Sequence, residues 1–405
     1  MTARPVGPEA VSSGPDGAVA AGVARETGGA GPDPMPLKQL VAEGVSIWLD
    51  GISRDLLVDG GLEHLVTVCH VTGASANSEV LAAALGGNGA YRAHLAGLAV
   101  RGVGAESALR AMANLDFRWA CDVLRPVFEA TDGVDGRVSV EVDPRLADDR
   151  EAVLTEAHAL WRAVNRPNLL VKIPATAAGR QAMSDCLADG ISVNATLVFS
   201  LDRYAQVLDA YLDGLERAGR AGHDLARIGS VGSFSVGGLD RAIDGLLDRL
   251  GTPEATALRG RAAVANARLA YKLHEEQLDS DRWRSLVAAG ARPQRPLWEF
   301  PAAADSSCSY VKYVEQLVSW GIVSSMTRSG LELFAARADL RGDTVTGEYH
   351  SARAHLDALA GLGISCAEVA AGLEADALRA LVLAWDRLRC AAEEALRDAA
   401  LNRRD

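Results

Sequence analysis

The residue with the most chemical potential in this sequence is a lysine set inside an apolar run. In RPNLLVKIPATAAGR, residues Leu169, Leu170, Val171 and Ile173 read as a buried strand, Lys172 interrupts it and Pro174 closes it. Lysine is almost never fully buried without a partner, because taking an ammonium ion out of water is costly. Burial also draws its pKa down toward the range in which the neutral amine is a nucleophile. One reading is therefore a lysine that forms a Schiff base with a carbonyl compound. The other is a strand-edge lysine whose stem lies on apolar surface while its head reaches water, or one held in a structural ion pair. Polar residues near the ends of other strand-like runs bear on the choice. They are Asp50 after VSIWL, Ser75 and Asn77 in TGASANS, Glu141 in RVSVEV, Asn194 and Thr196 in ISVNATLV, and Ser233 in GSFSVGG.

The elements that position these residues follow one another regularly. An amphipathic helix in MPLKQLVAEG precedes eight runs that read as strands, at 45–49, 65–71, 137–142, 169–173, 191–198, 226–231, 295–298 and 321–326. Residues 72–78 read as a loop and 232–238 as a glycine-rich exit. Helical patterns fall at 79–85, 108–127, 150–164, 178–189, 202–217, 239–250 and 258–276. Alternation along RVSVEV puts Ser139 and Glu141 on one face, which in a barrel is the lumen. Strands separated by helices in this number predict an α/β fold, a (β/α)8 TIM barrel over 36–330, with its active site at the carboxyl ends of the strands. A doubly wound sheet is the alternative, but it gathers its ligand groups at one switch point. Residues 1–35, rich in Gly, Ala and Pro, are expected to be a disordered leader. Residues 331–405 are expected to form helices packed on the barrel.

Composition narrows the partners. Net charge is -12 with basic residues scattered among acids, so nothing marks a nucleic-acid or anionic-membrane surface. No run reaches the roughly 18 apolar residues that a membrane span needs. The six cysteines (Cys69, Cys121, Cys186, Cys308, Cys366, Cys390) are widely spaced without a C-x-x-C pair. They read as reduced, mostly buried thiols of a cytoplasmic protein with no metal site. Small-molecule ligands are expected, on a monomer or homodimer.

Several long stretches, in order, resemble the bacterial transaldolases: CDVLRPVFEATDGVDGRVSVEVDPRLADD from Cys121, LLVKIPATAAGRQAM from Leu169, GISVNATLVFSLDRYAQVLDAYLDGLE from Gly190 and ARPQRPLW from Ala291. The resemblance spans about Ser46 to Met326, more weakly beyond. It implies a metal-free, cofactor-free class I enzyme acting on sugars or sugar phosphates, with Lys172 forming the Schiff base to a ketose donor. It further implies Asp50 as general acid/base and Glu141 with Thr196 as holders of the catalytic water. Asn77 and Asn194 would then be ligands to donor hydroxyls, and Ser75 and Ser233 residues of the sugar site.

The departures from that pattern concern the phosphate end. Where the family has a phosphate-binding arginine in an SFFVSR-like exit, this chain has SFSVGG, with Gly238 at the arginine position. Where members read PLWASTG and then a lysine, it has PLWEFPAAA, with Glu299 near the site and Ala304 at the lysine position. In SANSEVL, Ser75 and Ser78 replace a threonine and a proline, and Arg328 in SMTR is either a relocated phosphate ligand or a surface residue. A missing guanidinium and an added carboxylate disfavour a phosphate dianion. The expected activity is transfer of a three-carbon unit with a substrate altered at that end. The alternatives are the ordinary pentose-phosphate reaction and a non-catalytic binding barrel.

Overall fold

The computed structural model of the chain describes residues 35–87, 89–300 and 307–401; Ala304 and, Met35 apart, the expected leader lie outside them. Eight strands form the centre: β1 (Ser46–Asp50), β2 (Val71–Ser75), β3 (Arg137–Glu141), β4 (Leu169–Pro174), β5 (Val193–Val198), β6 (Ser230–Ser235), β7 (Arg295–Glu299) and β8 (Val323–Thr327). Each pairs in parallel with the next, and β8 pairs with β1 to close the barrel. Helices connect the strands, which is the expected (β/α)8 architecture. Side chains capping the helix starts set several boundaries: Asp149, Thr176 and Ser200 each accept a backbone N–H from the first turn that follows.

Two sequence expectations need correction. The run 65–71, read as a strand for its valines, is mostly the end of the helix Gly61–Val68, and β2 lies in the segment read as a loop. Leu62 and Leu65, three apart, are the buried residues of that helix, and this packing overrides the strand propensity of the valines. His70, at φ 56°, makes the turn between the two elements. The glycine-rich exit after 231 is likewise strand as far as Ser235. Alternation in β6 sends Val231, Ser233 and Ser235 inward, while Phe234 packs outside between Tyr204 and Trp298.

Inside the barrel an apolar layer underlies a polar one. Trp48, Leu170, Val231, Leu297 and Val323 form a buried cluster. Two residues further along the same strands stand Asp50, Lys172, Ser233, Glu299 and Ser325, on the same inward face. Gly73 makes room for the largest member of the floor, since a Cβ there would lie 2.5 Å from the Trp48 ring.

The loop after β1, which carries Asp50, is anchored by a buried polar cluster. Arg54 Nε donates to Asp116 Oδ1 at 2.7 Å and Nη2 to the Met112 carbonyl at 3.0 Å, while Tyr91 donates its hydroxyl to Asp116 Oδ2 at 2.8 Å. Breaking such a pair strands a buried charge. Asp116→Ala is expected to cost about 3–5 kcal/mol, read from a denaturant melt; a loss below about 1 kcal/mol counts against this anchoring role.

A 36-residue helix, Cys366–Leu401, lies over the carboxyl end of the barrel. Glu374 pairs with Arg203 at 2.8 Å and Arg387 with Glu79 at 2.9 Å, tying the helix to opposite sides of the mouth. Among the described residues no single helix is long and apolar enough to cross a membrane.

Candidate active site

A cavity of about 440 Å³ opens at the carboxyl ends of the strands. Its walls include Asp50 of β1, Glu141 of β3, Lys172 of β4, Thr196 of β5, Ser235 of β6, Glu299 of β7, and Ser325 and Thr327 of β8. Asn77 joins them just past the end of β2. The roof is the underside of the Cys366–Leu401 helix, where Ala377, Ala380, Leu381 and Ala384 face the cavity.

Lys172 is the centre of this arrangement. Its Nζ lies 3.2 Å from Glu141 Oε1 and 3.6 Å from Glu299 Oε1, with its side chain 10% exposed. Burial by itself would make the ammonium give up its proton more readily. The negative charges of Glu141, Glu299 and Asp50, and a hydrogen bond to Glu141, outweigh burial and hold Lys172 well above the usual lysine range. The downward shift expected from burial alone is thus reversed, because the sequence pattern did not reveal how many carboxylates converge on one nitrogen. The strand that carries the lysine is pinned at its exit. Thr176 caps the following helix by accepting from Gly179 N–H at 2.9 Å, and a Cβ on Gly179 would fall 1.9 Å from the Pro174 carbonyl oxygen.

The other carboxylates are held by short hydroxyl and amide contacts. Ser75 Oγ donates to Asp50 Oδ1 at 3.0 Å and Asn77 Nδ2 to Asp50 Oδ2 at 3.1 Å. Asn77 is oriented in turn by accepting from the Glu79 and Val80 N–H groups. Ser78 Oγ donates to Glu141 Oε2 at 3.0 Å. Thr196 is aimed by an irregularity in β5: the register shifts between Ala195 and Val198, and Leu197 sits at φ 60°. That left-handed conformation costs a leucine about 1–2 kcal/mol, and such bulges commonly redirect a side chain beside an active site.

The sequence candidates therefore divide. Asp50, Asn77, Glu141, Lys172 and Thr196 meet on the cavity wall. Asn194 and Ser233 are fully buried and not on the cavity wall, in a chain where Ser233 Oγ donates to Asn194 Oδ1 at 2.8 Å and Asn194 Nδ2 to Ser139 Oγ at 2.9 Å. Ser75 stands behind Asp50. Glu299 proves to be in direct contact with the lysine, and Gly238 lines the cavity at the start of the helix Gly238–Leu250. Arg328 is exposed and pairs with Glu332 at 3.3 Å, the surface alternative of the two. Arg241, one helical turn after Gly238, also lines the cavity and was not singled out from the sequence. Nor were Ser235, Ser325, Thr327 and the roof alanines. Period-two spacing from Ser233 to Ser235, and the i, i+3, i+7 spacing of Ala377, Ala380 and Ala384, were the available signals. Of the cysteines whose side chains are described, Cys121 and Cys186 are buried, Cys69 and Cys366 partly so, and Cys390 is exposed; the side chain of Cys308 lies outside the described residues.

A buried lysine among carboxylates, with a second acid/base group across a cavity of sugar size, is equipped for imine chemistry on a carbonyl substrate. Residues 47–392 match the profile of the transaldolase/fructose-6-phosphate aldolase family. The chain is 51% identical over 361 residues to a transaldolase of Acidothermus cellulolyticus, covering 89% of this chain and 97% of the relative. It is 50% identical over 353 residues to a transaldolase of Thermobifida fusca, covering 87% and 96%. It is 49% identical over 361 residues to a protein named transaldolase 1 of Streptomyces avermitilis, covering 89% and 96%.

Proposed function

The chain belongs to the transaldolase/fructose-6-phosphate aldolase family and is a transferase enzyme; on that premise we propose that it moves a three-carbon dihydroxyacetone unit from a ketose donor to an aldehyde acceptor through a Schiff base on Lys172. The observation that supports this most directly is the enclosure of Lys172, Glu141 and Asp50 in one cavity. The neutral Lys172 amine attacks the C2 carbonyl, and water leaves to give a protonated imine. Asp50 takes the C4 hydroxyl proton, the C3–C4 bond breaks, and its electron pair passes into the imine as an enamine. The aldehyde departs. An acceptor aldehyde is then attacked by the enamine, with Asp50 returning the proton to the new hydroxyl. Glu141, with Thr196, holds the water used to form and hydrolyse the imine. Asn77, Ser75, Asn194 and Ser233 position the donor hydroxyls or the groups that touch them. The roof helix limits water at the enamine stage, which favours transfer over release.

The identity to relatives named transaldolase supports the ordinary pentose-phosphate reaction, with sedoheptulose 7-phosphate and glyceraldehyde 3-phosphate as substrates. Gly238 on the cavity wall is the observation that favours a donor altered at its phosphate end. The variant Gly238→Arg separates the two, because nothing lies within 4 Å of a Cβ built there. A charged hydrogen bond contributes about 1.5–3 kcal/mol. The variant is accordingly expected to raise kcat/KM for fructose 6-phosphate about tenfold or more and to leave fructose unchanged. No rise means that other residues already hold the phosphate, and the ordinary reaction stands.

A further inference from the structure

Lys172 has more anionic company than imine formation requires. Glu141 approaches Nζ from the neighbouring strand β3 at 3.2 Å, and Glu299 approaches it at 3.6 Å from β7, three strands away in the other direction around the barrel. Glu299 is placed by the sheet itself. It lies in register with Ser235 of β6, whose hydroxyl donates to Glu299 Oε2 at 3.3 Å, and its backbone carbonyl accepts from Val236 N–H at 2.9 Å. Asp50, the third carboxylate, has both oxygens engaged by Ser75 and Asn77. Among the described residues, the charged groups around Nζ are thus Asp50 from β1, Glu141 from β3 and Glu299 from β7, with Glu79 and Arg241 lining the same cavity from the flanking helices.

We propose that Glu299 is a positioning residue for the Schiff-base lysine: it draws Nζ across the mouth of the barrel toward β7 and sets the pH at which that nitrogen can attack a carbonyl. This rests on the assignment of Lys172 as the nucleophile. An ammonium ion has no lone pair to offer. One proton must pass to a carboxylate before Nζ bonds to the carbonyl carbon, and a second leaves the nitrogen as the imine forms. Both end on the former carbonyl oxygen, which departs as water, and the iminium keeps the positive charge. A carboxylate this close favours the charged amine by about one to three pK units, so Glu299 delays attack at low pH. The same carboxylate then becomes a counter-ion to the iminium. Glu299 therefore exchanges a slower start for a firmly held intermediate.

The test is the rate of covalent trapping of dihydroxyacetone by cyanoborohydride as a function of pH, followed by intact mass. This probe carries the ketone and its neighbouring hydroxyls and has no phosphate end. In the wild type the rate is expected to rise with pH to a plateau. In Glu299→Gln the rising limb is expected about one pH unit or more lower, so trapping on that limb is about tenfold faster. Glu299→Asp keeps the charge and is expected to leave the limb close to the wild-type position. A limb unmoved in Glu299→Gln overturns the proposal, and so does a uniform fall in rate at every pH, which is what a merely structural role would produce. If thermal melts show that the glutamine variant does not fold, Glu299→Ala is read by the same criteria. A wild type that traps nothing, or an adduct that persists in Lys172→Ala, overturns the nucleophile assignment instead.

Discussion

Lys172→Ala is expected to lose covalent trapping entirely and to lower turnover by about four orders of magnitude or more, the scale seen when a covalent nucleophile is removed. The structure adds a complication to reading that result. Lys172 is the cation between Glu141 and Glu299, and its removal leaves two carboxylates facing each other across the cavity. The alanine variant is therefore expected to be less stable as well as inactive. Lys172→Arg separates the two effects. A guanidinium keeps the positive charge but does not deprotonate in a protein, so it preserves the charge balance and cannot attack a carbonyl. A folded, inactive arginine variant assigns the loss to chemistry. An arginine variant that retains activity removes Lys172 from the mechanism.

The second large effect is expected at Asp50. Asp50→Asn keeps the shape of the side chain but removes the proton acceptor, so carbon–carbon cleavage is expected to fall about 10²- to 10⁴-fold while imine formation continues. The two steps are distinguished by mass. Borohydride reduction of wild type with a six-carbon ketose is expected to leave mainly the three-carbon adduct, whereas the variant accumulates the adduct of the whole sugar. Ser75 and Asn77 both donate to the carboxylate, and an amide in its place satisfies only one of those donors. A modest loss of order at the mouth is consequently expected. An Asp50→Asn variant that forms no adduct at all gives Asp50 an earlier role, in imine formation itself.

How much of this was legible in the sequence depended on whether the signal was local. Lys172 stood out because a charge in LLVKIP violates the apolar pattern, and inward alternation in RVSVEV placed Glu141 correctly in the lumen. The second strand was missed because the valines of 65–71 favour a strand locally, while packing of Leu62 and Leu65 makes most of that run helical. Asn194 and Ser233 were found as polar residues near strand ends, but their bonding to each other, away from the cavity wall, was not visible in the sequence. The rise in the proton affinity of Lys172 was invisible for a related reason. It requires carboxylates from β1, β3 and β7 to converge, residues separated by long stretches of chain. The alanine face of the roof helix carried no sign of what it would cover.

That roof has a consequence for the order in which the molecule is made. Asp50, Glu141, Lys172 and Thr196 all lie on the eight strands, and the helix that roofs them follows the last of those strands in the chain and so leaves the ribosome later. A nascent chain can thus close its barrel, with Lys172 already between its carboxylates, while the mouth still stands open. Docking of the Cys366–Leu401 helix, held by the Arg203–Glu374 and Arg387–Glu79 pairs, would then roof the cavity. In chain order, the residues of the cavity wall thus come before the helix that roofs them.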